Sequence, residues 1–155
     1  MRLSLILPVM VLSSTAVLLP VSAQAVLGGH RDRVESEKTS LRGSGNVVVT
    51  EGTSFTMLSL QTVTGSINQY ANKEGQIFAV TWRGLHPPDL SLLLGEHFGD
   101  YQKSKDRQVH EGGRRPGAIQ TGRITVKHFG HMRDIRGVAY QSSMVPAGID
   151  AETLP

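Results

Sequence analysis

The stretch GQIFAVTWRGLHPPDLSLLLGEHFGDY, Gly75 to Tyr101, decides how the rest of the chain can fold. Its first part, Gln76 to Arg83, is rich in β-branched and aromatic residues and reads as a buried strand. Pro87 and Pro88 cannot extend a ladder, and the Asp89 carboxylate can accept a hydrogen bond from a free N–H of a first helical turn. A helix is therefore expected to start at Asp89 and run to about Tyr101. Leu90, Leu93, Leu94, Phe98 and Tyr101 recur along one face of that helix, and such a face must be covered. Strict alternation along the strand places Phe78, Val80 and Trp82 on one side, beneath the helix, and Ile77, Ala79 and Thr81 on the other.

Toward the N-terminus, three more strand-like runs follow one another closely: Asn46 to Glu51, Ser54 to Gln61 and Ser66 to Ala71. Turns at Glu51-Gly52-Thr53 and Thr64-Gly65 separate them. Asn72-Lys73-Glu74-Gly75 has hairpin length, so the last of these runs pairs antiparallel with Gln76 to Arg83; connections this short exclude parallel crossovers. Arg31 to Leu41 reads as a short helix with Val34 and Leu41 on one face and Gly43 as its stop. Val26 to Gly29 reads as a flexible lead-in or edge segment. Toward the C-terminus, Ser104 to Ala118 is expected to be a polar loop, followed by strands Arg123 to Phe129 and Met132 to Tyr140 joined at Gly130-His131. The residues from Val145 onward read as irregular. The result is an α+β fold: a mostly antiparallel sheet of about five to six short strands, one main amphipathic helix packed on one face, and a short N-terminal helix.

Residues 1–25 read as a signal peptide. Arg2 is a short positive region, Leu3 to Leu19 an apolar run, and Ala23 and Ala25 flank Gln24 as the small-x-small site that signal peptidase recognises. Cleavage there leaves 130 of the 155 residues as one small exported domain, 26–155, found in the periplasm or secreted, with no stable membrane insertion after signal removal. Without cysteine, that domain must hold together by packing and cannot be a disulfide scaffold. Arg2 is the only charge in the leader, so 15 Lys+Arg face 13 Asp+Glu in the remainder, too small an excess to argue for nucleic acid. The 17 glycines, about twice the usual share of ~7%, favour short strands and tight turns.

No motif carries chemistry by itself. The chain has no Cys and no G-x-S-x-G, and Glu51, Glu74 and Asp89 each have a turn or cap role, so neither a nucleophile nor a carboxylate pair stands out. His128 and His131 are three apart but flank Gly130 in a hairpin, without an acid at ligand spacing; no metal site and no cofactor is expected. The basic segment Lys103 to Arg115 lacks interleaved aromatics and reads as a solvated loop. Trp82, the only tryptophan, is expected in the core under the helix. The turn beside it can bring together an aromatic, an arginine and a histidine, so Trp82, Arg83 and His86 are the candidate binding residues.

With these residues in view, the chain resembles a bacterial family of small exported proteins catalogued as domain of unknown function 2844. The resemblance rests on Leu27-Gly28-Gly29, Gly75, Ile77-Phe78-Ala79-Val80 leading to Trp82, Gly84, and Pro88-Asp89-Leu90. Leu93-Leu94-Gly95 with Phe98 and Tyr101, and Pro146-Ala147-Gly148, complete it. The family pattern has an Arg-Glu pair before the tyrosine of the preceding strand, where this chain has Asn68-Gln69 before Tyr70. The resemblance implies export and a β-α-β layout, and implies no activity, cofactor or catalytic residue.

The expected function is a non-enzymatic binding or envelope-associated module, periplasmic or secreted, with an envelope polysaccharide or a secreted protein as partner. The alternative is a small hydrolase or metal-dependent enzyme using His128 and His131.

Overall fold

In a computed structural model the structure describes residues 26–112 and 117–155; the signal-peptide reading of residues 1–25, with Ala23 and Ala25, lies outside them. Among the described residues the strands are β1 (Gly43–Glu51), β2 (Thr56–Thr62), β3 (Gly65–Ala71), β4 (Ile77–Gly84), β5 (Ala118–Gln120), β6 (Ile124–His131) and β7 (Asp134–Gln141). They form one sheet in the order β1-β2-β3-β4-β7-β6-β5. Every neighbouring pair is antiparallel. The chain runs as a meander to β4, crosses one face of the sheet through its helices to the far edge, and returns inward until β7 closes against β4. The sheet has seven strands against an expected five to six, because β5 begins at the last residue of the segment read as loop and runs into residues assigned to no strand.

The helical layer begins where the double proline ends the ladder. Asp89 caps α2 (Leu90–Leu94), its Oδ1 accepting from Ser91 N at 2.9 Å. That hydrogen bond satisfies one of the free donors of the first turn. A 3-10 turn at Gly95–His97, with Gly95 at φ +49°, separates α2 from α3 (Phe98–Gly112). The helix therefore runs well past Tyr101 into the expected Ser104–Ala118 loop. Its residues beyond Tyr101 are polar apart from Val109 and carry no apolar stripe to read, yet Gln102, Lys103, Lys105, Arg107 and Gln108 are good helix formers propagating from a turn already anchored. The N-terminal helix is shorter than expected, a 3-10 turn Arg31–Arg33 leading into α1 (Val34–Glu37). The left-handed residue after it is Arg42, at φ +55°, one position before the expected Gly43.

Cross-strand register sorts the sheet residues into two faces. On the helix face Leu60, Ile67, Val80, Trp82, Val126 and Ala139 pack with Leu93, Leu94 and Tyr101. Val26 and Leu27 join this core. Leu27 N donates to Leu93 O at 2.9 Å and Gly28 N to Ile77 O at 2.8 Å, so the expected flexible lead-in is a buried strap between α2 and β4. On the opposite face Tyr70, Phe78 and Ala79 form a second core with Phe55, Met57, Tyr140, Met144, Val145 and Leu154.

Phe78 thus lies on the far side from Val80 and Trp82, and Ile77 lies with them, the reverse of strict alternation. The cause is a bulge: Tyr70 pairs with Ala79 but Ala71 with Ile77, leaving Phe78 as an extra residue that resets the phase of β4. The residues from Val145 onward are irregular as expected apart from one 3-10 turn, but they are not loose. Short 3-10 turns at Ser142–Met144 and Ala151–Thr153 lay them over the second core. The hairpin between β6 and β7 turns at Met132-Arg133, with Arg133 left-handed at φ +71°, two residues later than expected.

Candidate functional site

Trp82, Arg83 and His86 all border one small cleft at the end of β4, of about 10 Å³, together with Thr62, Gly65 and Pro88, but their side chains do not converge in it. Trp82 and Arg83 are neighbours on β4 and so project to opposite faces. The Trp82 ring is buried against His128, with ring centroids 5.6 Å apart, and stands so close to Gly137 across the ladder that a Cβ there would lie 2.1 Å from Cζ2. Arg83 points to the face away from the helices, where its Nε donates to Asp134 Oδ1 at 2.9 Å. His86 is exposed beyond the end of β4 and borders a groove of about 570 Å³ with Arg42, Thr62, Ile67, Pro88 and Asp89.

His128 and His131 do not converge either. His128 is on the helix face, its Nε2 3.1 Å from Tyr101 OH. Burial holds its protonation below the usual histidine range, with a further push from the Lys105 charge. His131 is exposed at the hairpin tip, and no group of three or more His, Asp or Glu able to hold a metal exists among the described residues.

The most organised polar arrangement lies on the open face, beside the C-terminal segment. Asn68 on β3 and Thr81 on β4 are cross-strand partners, and Tyr70 follows Asn68 on the same face. Their donors meet on one atom: Pro155 O accepts from Tyr70 OH, from Thr81 Oγ1 at 2.9 Å and from Asn68 Nδ2 at 3.1 Å. Ser59 Oγ donates to Asn68 Oδ1 at 2.9 Å, which fixes the amide so that its nitrogen faces Pro155. Tyr70 is fully buried and Thr81 is 7% exposed, so these donors are held in position by the core around them. Burial raises the Tyr70 phenol above its ordinary pKa, keeping it a donor.

From this cradle a shelf of about 510 Å³ opens along the sheet, lined by Ser66, Arg83, Phe129, Arg136, Leu154 and Pro155 among others. Arg83 and Arg136 are directly paired across β4 and β7, and both bind the Asp134 carboxylate. Arg136, first, and Arg83 together hold that carboxyl down at about 2, so it remains ionised at any ordinary pH. Two guanidinium groups share this single carboxylate, while Glu152, which also lines the shelf, is paired with Lys127. Phe129, cross-strand from Arg136, is 48% exposed beside them. At the shelf's other margin Glu152 links Lys127 and Tyr140, anchoring the C-terminal segment.

Arg83 and Trp82, which also borders the shelf, are the two of its residues that the sequence singles out. Asn68, Thr81, Phe129 and Arg136 are scattered over four strands and are brought together only by register. The signal nearest to them is the Asn68-Gln69 departure from the resembled pattern, and the two residues go to opposite faces. Asn68 joins the cradle, whereas Gln69 is fully buried on the helix face with neither amide atom hydrogen-bonded.

A family model described as protein of unknown function (DUF2844) matches residues 23–154. No curated protein and no solved structure matches the chain.

Proposed function

We propose that this chain, which belongs to the DUF2844 family, is an exported, non-enzymatic binding module of the bacterial envelope that holds an envelope polysaccharide on the open face of its sheet. The observation that carries this reading is the shelf itself: a concave surface lined by Ser66 and Asn68, two guanidinium groups and an exposed aromatic ring, Phe129. Sugar chains are recognised by such combinations, polar groups fixing the hydroxyls and a ring covering the apolar side. Asp134 is bound in its ionised form by both arginines, which removes it as a general acid at this surface. Among the described residues no helix is long and apolar enough to cross a membrane.

Equilibrium binding of the purified protein to isolated envelope polysaccharide tests the reading. Saturable binding is expected, weakened by Phe129→Ala with the circular dichroism spectrum unchanged. Absence of saturable binding by the wild-type protein contradicts it. Export has its own test: N-terminal sequencing of periplasmic protein is expected to begin at Val26, and recovery of uncleaved chain from the cytoplasm contradicts export.

A further inference from the structure

We propose that the Arg83–Arg136 end of the open sheet face is specific for carboxylate-bearing polysaccharide; this rests on the binding reading above and names its ligand class. The count of donors against the one carboxylate they share is the first ground. Arg83 gives Asp134 only its Nε, while Arg136 gives Nε, at 3.1 Å from each carboxylate oxygen, and one terminal nitrogen. One carboxylate satisfies one guanidinium fork, so a second carboxylate brought alongside meets planar donors already aligned by the β4–β7 register.

The second ground is what this face already holds. In the adjoining cradle Tyr70, Thr81 and Asn68 all donate to one oxygen, that of Pro155, which shows the chemistry the surface accepts: a bare acceptor oxygen met by several donors at once. The arginines continue that donor row outward, where Ser66 and Asn68 also line the shelf. A neutral glycan offers hydroxyls, which need acceptors as well as donors; an acidic one offers carboxylate oxygens, which need donors alone. Phe129 lies next to the arginines and can cover the apolar face of the sugar ring that carries the acid.

The test compares polygalacturonate with dextran, using the full protein and the variants Arg83→Gln and Arg136→Gln, both at exposed positions, each read only where its circular dichroism spectrum and urea midpoint match wild type. Saturable binding to polygalacturonate is expected, at least tenfold tighter than to dextran. Each substitution should weaken it about tenfold, and added salt should weaken it further. Equal affinity for the two polymers, or indifference to both substitutions, overturns the acidic specificity while leaving a binding module in place. If envelope polysaccharide binds saturably but polygalacturonate does not, the carboxylate class is overturned. If neither binds, the binding reading falls as well.

Discussion

Gln69 is the residue least at ease in this fold. Its side chain has no solvent exposure, and both amide atoms lack partners within the main hydrophobic core. A buried amide without hydrogen bonds is destabilising, and replacing it by an apolar group of similar size removes the penalty. Gln69→Leu is therefore expected to raise the unfolding free energy in urea by about 1–3 kcal/mol. An unchanged or lower value would mean that the amide is satisfied in solution.

Glu37 is a second such residue, on the N-terminal helix, where half-burial raises its carboxyl to about 7 against an opposing pull from Arg33. The folded state then binds a proton that the unfolded chain releases near pH 4.5. Stability from this group is complete below that pH and is lost as pH rises through about 7. Glu37→Gln should leave stability at pH 4 nearly unchanged, raise it at pH 8, and flatten the slope between them. A slope identical to wild type would exclude Glu37 as its source.

At the scale of elements, the strand β4 and the helix start at Asp89 are legible from sequence, because proline chemistry, capping and apolar spacing act locally and agree. The facing of β4 is not legible. Period-2 alternation assigns Phe78 to the helix side, and a single extra residue opposite Tyr70 and Ala71 sends it to the other. The length of α3 is hidden for a different reason: its outer turns are polar, and a helix stabilised by what precedes it leaves no periodic signature. Close packing of β4 on β7 makes its own prediction. A Cβ at Gly137 would fall 2.1 Å from Trp82 Cζ2 and 2.7 Å from Lys127 O. Gly137→Ala should destabilise by about 1–3 kcal/mol and shift the emission of the sole tryptophan. Wild-type stability and emission would show that the two strands are further apart than this.

On the scale of the whole molecule, one sheet carries two unlike surfaces. The helix face is closed by α2, α3 and the Val26-Leu27 strap, and that closure is what the leucine spacing after the double proline foretells. The other face is covered at one end by the residues after β7 and left open around Arg83, Phe129 and Arg136. The sequence does not announce this second surface, because its residues come from four strands and each alone reads as ordinary exterior. Trp82 and Arg83 are neighbours in the chain and face apart because adjacent strand residues point to opposite faces, and His86 meets them only at the small cleft beyond the end of β4. The proposed binding thereby falls to one face and structure to the other.

The most direct test follows side-chain N–H resonances during titration with polygalacturonate. The Nε–Hε signals of Arg83 and Arg136 and the amide of Asn68 are expected to shift saturably, while the Trp82 indole, sealed on the helix face, stays where it was. Movement of the Trp82 indole with unmoved arginine signals would contradict this division of the molecule into a structural face and a binding face.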